Sequence, residues 1–172
     1  IDKKRFEIIK LGKVNYDLKC NYLDINQIIK ALNKYNFDSI INCIGYTNID
    51  NLPKERELCF LLNAKVTQNL VQAINNSKSK PFLIHFSTDH LYSNKGYSKE
   101  NNISIKNYYA LTKLYSEYFA SFSKSIVLRS NFFGKSKHKS KESLSDWIIK
   151  SLKNNNKIHV FDDILFNPIT FD

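Results

Sequence analysis

The feature that most constrains the fold is an alternation of apolar, strand-like runs with amphipathic helical patterns. Several of the runs are near-continuously apolar, which is typical of parallel strands that helices cover on both faces. The strand-like runs are 5–11, 38–44, 81–87, 125–130 and 157–161, and the helical patterns are 25–35, 54–76, 107–122 and 143–154. This order predicts an α/β protein with a doubly wound parallel sheet and right-handed crossovers.

Composition restricts the class of protein further. The 172-residue chain is 42% hydrophobic, which suffices for one packed domain, or for one domain and the start of another. No apolar run approaches the roughly 18 residues of a membrane span, so we expect no membrane partner. Cys20, Cys43 and Cys59 lack metal-ligand or redox spacing. They predict reduced core thiols in a cytoplasmic protein and no metal site.

The formal net charge of +10 raises the question of nucleic-acid binding. The excess is nearly all Lys and is spread along the chain, with Arg only at Arg5, Arg56 and Arg129. Because base readout and bidentate phosphate binding rely on Arg, we expect no nucleic-acid partner. The Lys-rich segment 134–141 is expected to be a solvated loop, with a phosphate-binding loop as the alternative.

Chemistry-bearing side chains follow the third strand-like run. Thr88 comes directly after 81–87, and Tyr109 and Lys113 follow on a helical pattern, four residues apart and therefore on one face. A free Tyr has a pKa near ~10, and an ammonium one turn away is expected to lower it. The Thr88 hydroxyl could then hold the substrate oxygen that Tyr109 protonates. This layout predicts a carbonyl-reducing site.

The Tyr-x-x-x-Lys spacing alone is weak, because a chain this rich in Tyr and Lys contains about one such pattern by chance. On spacing alone, Tyr109 would be a packing aromatic and Lys113 a solvated charge. The strand with Ser-Thr at its end and the helix-like run through Glu117 favour the site. His85 and His159 lie within apolar strand-like runs, so we predict core histidines there and not catalysts.

The glycines indicate what the chain lacks. Gly12, Gly45 and Gly134 each follow a strand-like run, where ligands gather at the carboxyl edge of a parallel sheet. Their spacing does not form Gly-x-Gly-x-x-Gly, the turn that holds a pyrophosphate after a first strand. Because the sequence opens with Ile1, we expect a fragment without that first strand and its glycine turn. Such a fragment is expected to be inactive by itself.

Several blocks of sequence together resemble a known family. They are 23–25, 41–50, 61–64, 87–92, 109–113, 128–134 and Pro168. On these blocks the chain resembles the extended short-chain dehydrogenase/reductases, and within them the dTDP-4-dehydrorhamnose reductase group of sugar-nucleotide reductases. The resemblance covers nearly the whole chain. The Ser-Thr-Asp block and the Tyr/Lys helix are fairly specific for this group, and the other blocks mark the wider superfamily.

The resemblance implies a Rossmann-type dinucleotide-binding domain over 1–134, incomplete at its N-terminus, and the start of a substrate-binding region over 135–172. It implies an NAD(P)H-dependent reductase of a 4-keto sugar nucleotide, as used in polysaccharide biosynthesis. In its catalytic set Tyr109 would be the general acid. Lys113 would bind the nicotinamide ribose and lower the pKa of Tyr109, and Thr88 would anchor the sugar carbonyl.

Further residues take ligand roles by the same resemblance. The dinucleotide would contact Lys13, Asp24, Ile25, Gly45, Tyr46, Thr47, Tyr109 and Lys113, and the substrate would contact Thr88, Asp89 and Phe132. The run 5–11 would be the second strand of the complete fold. It is followed by Gly12-Lys13, without an acidic residue that would bind a ribose diol. A Lys there could pair with a 2′-phosphate, so NADP is the expected cofactor, with NAD as the alternative.

Two other interpretations stay open. A sugar-nucleotide epimerase or dehydratase of the same superfamily would need further acid/base residues, a role for which Asp89-His90 is ambiguous. A non-catalytic nucleotide-binding regulatory subunit would have no need of Thr88, Tyr109 and Lys113 together. The expected partner is a nucleotide-sugar substrate, and a homodimer is compatible with the resemblance.

Overall fold

In a computed structural model of the chain, the described residues are 5–12, 16–92, 96–136, 142–159 and 168–170. The strands are β1 (Leu11–Gly12), β2 (Leu18–Lys19), β3 (Ser39–Asn42), β4 (Phe82–Ser87), β5 (Ser125–Arg129), β6 (Asn131–Phe133) and β7 (Pro168–Thr170). The α-helices are α1 (Ile25–Lys34), α2 (Arg56–Phe60), α3 (Val66–Asn76), α4 (Tyr108–Ala120) and α5 (Leu144–Lys153). A π-helical turn, Leu61–Lys65, joins α2 to α3, and a 3-10 turn, Asp89–Leu91, follows β4.

Strand pairing in the described part of the chain is parallel throughout. β3, β4 and β5 form a three-stranded sheet in that order, and α2, α3 and α4 make its crossovers. β1 pairs with β2, and β6 pairs with β7. The predicted α/β fold with parallel strands is therefore confirmed. The pairing of β6 with β7 joins residues on both sides of the boundary expected after residue 134, and that boundary stays a prediction.

The first and last strand-like runs are wrong in extent. Of 5–11, only Leu11 enters a strand, because among the described residues β1 pairs only with the two-residue β2, and Phe6 is 58% exposed. Residues 157–159 are not in a strand, and 160–161 lie outside the described residues. The prediction of a core position for His159 is also wrong, because that residue is exposed. β2, β6 and β7 are too short for a periodic signal in the sequence.

Capping side chains set where the helices begin. Asp24 accepts backbone hydrogen bonds at the start of α1, and Asn107 accepts one from the Ala110 N–H at the start of α4. Ser143 and Asp146 form a reciprocal capping box at the start of α5. Such caps each stabilise a helix by about 1 kcal/mol. The sequence predicted these three helices to within two residues at each end, and it predicted one helix where α2, the π-helical turn and α3 follow one another.

The main hydrophobic core lies between α1, α3 and the three-stranded sheet. Ile28, Ile74 and Leu83 are among its fully buried side chains, and each such burial stabilises the fold by about 1.5–3 kcal/mol. Cys20 also belongs to this core. The prediction of three core thiols is wrong for Cys43, which is exposed because it follows β3, the outer strand of the three-stranded sheet.

Candidate active site

Thr88 and Tyr109 meet at the carboxyl end of β4. Thr88 is only 4% exposed, and its Oγ1 accepts a 3.2 Å hydrogen bond from the His90 N–H, which fixes it at the start of the 3-10 turn. A hydrogen-bonding interaction joins the side chains of Thr88 and Tyr109. The Tyr109 ring lies edge-on to the His90 ring, with centroids 5.5 Å apart. The two side chains therefore adjoin each other at the end of β4.

Lys113 lies one turn further along α4 and is only 5% exposed. Its Nζ donates a 2.6 Å hydrogen bond to the main-chain carbonyl of Phe86 on β4. Burial lowers the pKa of Lys113 to about 8, and the neighbouring Glu117 carboxylate opposes that shift. The ammonium is therefore mostly charged at pH 7, in a site that is nearly closed to solvent.

The expected effect of Lys113 on Tyr109 is wrong in this structure. The pKa of Tyr109 is raised, mainly by burial, and the hydrogen bond with Thr88 opposes this shift. A spacing of four residues places two side chains on one helix face, but it does not set the direction of a long Lys side chain. The Lys113 ammonium is bonded to the Phe86 carbonyl instead. Tyr109 therefore retains its proton at neutral pH.

A buried chain of hydrogen bonds joins β3, β4 and α4 beside the Tyr/Lys pair. Asn42 Nδ2 lies 3.1 Å from His85 Nδ1, and His85 Nε2 lies 2.8 Å from Ser116 Oγ. Ser116 Oγ donates to the Lys113 carbonyl at 2.6 Å. Because a Ser hydroxyl has one proton, Ser116 accepts from His85, which assigns the Nε2–H tautomer. Burial, with the Lys113 ammonium nearby, lowers the pKa of His85 to about 3, so its ring is neutral.

The π-helical turn places Asn63 between the loop after β3 and α4. Asn63 Oδ1 accepts a 2.7 Å hydrogen bond from the Tyr46 N–H, and its Nδ2 donates at 2.9 Å to Thr112 Oγ1. A Cβ at Gly45 would come within 3.3 Å of Asn63 Oδ1, so the loop fits tightly there. Turns of this kind inside helices are frequent at functional sites. Sequence reasoning gave Asn63 no role, because a lone polar residue in a helical pattern carries no signal of burial.

The residues expected to approach the dinucleotide have different surroundings. Tyr46 is buried and donates to Glu55, and burial together with that carboxylate raises the pKa of Tyr46 to about 12. Thr47 is exposed on the same loop. Asp24 caps α1 through Oδ1, which accepts from the Asn26 and Gln27 N–H groups, and its Oδ2 accepts from the Gln27 side-chain amide. Ile25 packs against the main core. Lys13 lies outside the described residues.

The two further substrate candidates flank the Thr88/Tyr109 pair and β4. Asp89 follows Thr88 in the 3-10 turn, and its charge contributes to the raised pKa of Tyr109. Phe132 is 42% exposed on β6, and its ring lies edge-on to Phe86 with centroids 5.5 Å apart. Because Phe86 also accepts the hydrogen bond of the Lys113 ammonium, Phe132 lies beside the same stretch of β4.

An ion pair that sequence reasoning missed lies next to Lys113. Arg129 Nε and Nη2 donate to the two carboxylate oxygens of Glu117 at 2.9 and 2.7 Å. Ser87 also donates to Glu117. Arg129 Nη1 donates to the Glu100 carbonyl at 2.6 Å and to the Tyr92 hydroxyl at 3.1 Å. The pair thereby ties the segment after β4 to both α4 and β5.

The described residues hold neither a cluster of metal-ligating side chains nor a membrane-spanning helix. No group of three or more His, Cys, Asp or Glu side chains in that part of the chain is arranged to hold a metal ion. Within the same residues, every helix is too short or too polar to cross a membrane.

Taken together, the parallel sheet, the Thr at a strand end and the Tyr/Lys pair on the following helix define a Rossmann-type α/β protein. A comparison with family models agrees with this class, because the model described as "RmlD substrate binding domain" matches residues 2–171. The chain belongs to that family.

Two curated proteins are similar to parts of the chain. A dTDP-4-dehydrorhamnose reductase of Salmonella typhimurium is 29% identical over 93 residues, which are 52% of this chain and 30% of that protein. A probable low-salt glycan biosynthesis reductase of Haloferax volcanii is 30% identical over 69 residues, 40% of this chain and 22% of that protein. The matched part thus spans less than a third of either relative.

Solved structures share the fold. A hypothetical dTDP-4-dehydrorhamnose reductase of Sulfolobus tokodaii has a TM-score of 0.68 at 26% identity, over 78% of this chain and 50% of that one. The dTDP-4-dehydrorhamnose reductase of Bacillus anthracis, solved in complex with NADP, has a TM-score of 0.71 at 22% identity, over 90% of this chain and 52% of that one. The chain spans about half the length of these structures. The doubly wound, Rossmann-type fold predicted from the sequence is confirmed.

Proposed function

We propose that the protein containing this chain is an NAD(P)H-dependent reductase of a 4-keto sugar nucleotide, similar to dTDP-4-dehydrorhamnose reductase. The observation that carries the proposal is the convergence of Thr88, Tyr109 and Lys113 at the carboxyl end of β4. The family and the names of its relatives agree with this chemistry. The catalytic roles assigned to the three residues are part of the proposal.

In the proposed reaction, Tyr109 is the general acid. Its raised pKa keeps the hydroxyl protonated at neutral pH, and its hydrogen-bonding interaction with Thr88 aims both groups at one carbonyl oxygen. Proton donation by a positioned side chain typically accelerates a reaction by about 10²–10⁴-fold. A reduced nicotinamide, when bound, would supply the hydride for the carbonyl carbon. Tyr109 supplies the proton, so the ketone becomes a secondary alcohol.

The residues present fit a dinucleotide in two respects. Lys113 offers a buried ammonium one helical turn from Tyr109, suited to ribose hydroxyl groups. Gly45, Tyr46 and Thr47 form the loop after β3, at the sheet edge where ligands of such folds bind. We propose NADP as the cofactor, with NAD as the alternative, because Lys13 stands where an acidic residue would select NAD.

Asp89 and Phe132 complete the proposed substrate side of the site. Asp89 adjoins Thr88, and Phe132 presents a half-exposed ring beside β4. A half-exposed aromatic ring suits the apolar face of a sugar or a nucleotide base. We assign Asp24 and Ile25 to the adenine end, at the beginning of α1.

Reduction is tested by incubating the complete protein that contains this chain with NADPH and a dTDP-linked 4-keto sugar. We expect NADPH consumption equal to the amount of 4-hydroxy sugar nucleotide formed. An epimerase or dehydratase would give an isomerised or dehydrated sugar without net NADPH oxidation. A regulatory subunit would bind nucleotide without any turnover. Either result would contradict the proposed function.

We further propose that the protein is cytoplasmic and forms a homodimer. The free thiols of Cys20, Cys43 and Cys59 agree with a reducing compartment. An exposed aromatic face on α4 agrees with self-association, since Tyr115 and Tyr118 are 46% and 58% exposed. The dimer is tested by comparing the oligomeric state of wild type with that of Tyr118→Lys by sedimentation. The absence of a nucleic-acid partner stays a prediction, tested by salt-dependent binding to unrelated DNA.

A further inference from the structure

Two hydrogen-bonded connections run between Lys113 and β4, one of them direct and the other through Ser116 of α4. Its Nζ donates to the Phe86 carbonyl at 2.6 Å, and its own main-chain carbonyl accepts from Ser116 Oγ at 2.6 Å. Ser116 in turn accepts from Nε2 of His85, at 2.8 Å. His85 and Phe86 are consecutive residues of β4. The strand therefore fixes both the ammonium of Lys113 and the turn of α4 that carries it.

The hydrogen-bond partners of His85 impose one form of its ring. Asn42 Nδ2 is 3.1 Å from His85 Nδ1, so Nδ1 must be an unprotonated acceptor. The Asn42 amide is itself oriented, because its Oδ1 accepts from the Ile44 N–H at 3.1 Å and its Nδ2 donates to Thr67 Oγ1 at 3.3 Å. His85 is consequently a neutral Nε2–H donor, and Ser116 is its acceptor.

Packing alone does not account for a His at this place. His85 and Ser116 are fully buried, and Asn42 is 3% exposed. A buried polar group costs about 1–3 kcal/mol when it has no partner, whereas an apolar side chain would fill the space without any partner. In the hydrogen-bonded series Asn42, His85 and Ser116, every hydrogen-bonding side-chain group has a partner. The series ends at the main-chain carbonyl of Lys113. These hydrogen bonds connect β4 to the turn of α4 that carries Lys113.

We propose that His85 is a positioning residue of the reductase site, which orients Ser116 and through it anchors the turn of α4 that carries Lys113 against β4. The inference rests on the proposed function, and it adds a residue that contacts neither the substrate nor the cofactor. A displacement of about 1 Å at a catalytic group can reduce the rate by about 10²-fold. A smaller displacement of Lys113 should therefore have a measurable effect on turnover.

The test compares kcat and KM of the complete protein across matched variants. Ser116→Ala and His85→Leu should each lower kcat about tenfold. The KM for the sugar nucleotide should stay within about twofold, because Thr88, Asp89 and Phe132 are unchanged. His85→Gln should recover kcat to within about threefold, since its amide can donate to Ser116 and accept from Asn42.

Ser77→Ala is the matched control. Ser77 is buried like Ser116, and its hydroxyl donates at 2.8 Å to the carbonyl three residues earlier, that of Ile74, as Ser116 donates to Lys113. Ser77 lies at the end of α3, so its loss measures the effect of removing a buried Ser away from the site. We expect Ser77→Ala to lower thermal stability and to leave kcat at the wild-type value.

A spectroscopic measurement gives a result independent of turnover. The ¹⁵N shifts of the His85 ring should show a neutral Nε2–H tautomer at pH 7. A charged ring, an Nδ1–H tautomer, or wild-type kcat in both His85→Leu and Ser116→Ala would overturn the inference. If His85→Leu fails to fold, Ser116→Ala and His85→Gln decide. An active wild type with unaffected variants rejects this inference alone, whereas an inactive wild type rejects the proposed function as well.

Discussion

Arg129 and Glu117 form a bidentate ion pair, in which the two side chains are only 13% and 11% exposed. Glu117 lies one helical turn beyond Lys113, and Arg129 ends β5. The pKa of Arg129 is raised above its usual value by the hydrogen bonds to Glu117. Burial makes this pair different from a surface ion pair, because removing one partner leaves a charge that solvent cannot reach.

Arg129→Met should therefore lower the free energy of unfolding by about 3 kcal/mol, measured by urea denaturation. The double variant Glu117→Met/Arg129→Met should be more stable than Arg129→Met, because no charge stays buried. The control is Lys150→Met, which breaks an exposed pair with Glu142 at 3.3 Å. That change should cost less than about 0.5 kcal/mol. Equal effects of Arg129→Met and Lys150→Met would contradict the assignment of a buried pair.

The lowered pKa of Lys113 predicts a pH dependence of stability. In the folded chain its pKa is about 8, against an ordinary value of 10.5. Between these two values the unfolded state binds more protons than the folded state, so the free energy of unfolding rises with pH. From pH 8 to pH 10, wild type should gain about 2 kcal/mol relative to Lys113→Met. The free energy of unfolding of both proteins is measured by urea denaturation across this range. The same change with pH in wild type and in Lys113→Met would contradict the lowered pKa.

The Thr88 hydroxyl should matter for rate more than for cofactor binding. Thr88→Val removes the group that interacts with the Tyr109 hydroxyl. We expect a loss of about 10²-fold in kcat, similar to the removal of one donor to a developing oxyanion. Thr88→Ser keeps a hydroxyl there and should stay within about tenfold of wild type. The measurement is the steady-state kcat of Thr88→Val and of Thr88→Ser. Equal values for the two variants would exclude a role for the Thr88 hydroxyl.

Cofactor choice is expected to depend on Lys13. The complete protein should prefer NADPH, because a Lys beside the ribose attracts a 2′-phosphate. Lys13→Asp should shift the ratio of kcat/KM for NADPH and NADH towards NADH, by about tenfold or more. Unchanged use of both cofactors after the substitution would mean that Lys13 is a solvated surface charge.

Local signals in the sequence were sufficient for much of the fold. The helical patterns 25–35, 107–122 and 143–154 could be recognised because the apolar face of a helix repeats every three to four residues. The caps that the structure shows, Asp24, Asn107 and Ser143, act over an equally short range. The spacing of Tyr109 and Lys113 likewise placed both residues on one face of α4, because four residues are about one helical turn. The extent of β1 was not predictable, because a strand exists only with a partner, and β2 offers two residues.

Contacts between residues distant in sequence were the part that no local pattern revealed. His85 was predicted to be a core residue, but its partner Asn42 lies 43 positions away. Arg129 and Glu117 are twelve positions apart on different elements. The direction of the Lys113 side chain depends on the Phe86 carbonyl of β4, which only the packed structure places. Tertiary packing therefore decided the electrostatics of the site.

The proposed carbonyl reduction depends on proton donation by Tyr109. Tyr109 and its neighbour Tyr108 both pack against the cluster of Tyr46 and Leu52, so Tyr108→Phe is a matched control for Tyr109→Phe. The direct measurement is kcat for NADPH-dependent reduction, together with the NADPH dissociation constant, in wild type and both variants. Tyr109→Phe should lower kcat by about 10²-fold or more with cofactor affinity nearly unchanged, and Tyr108→Phe should match wild type. Wild-type turnover in Tyr109→Phe would show that Tyr109 is not the general acid.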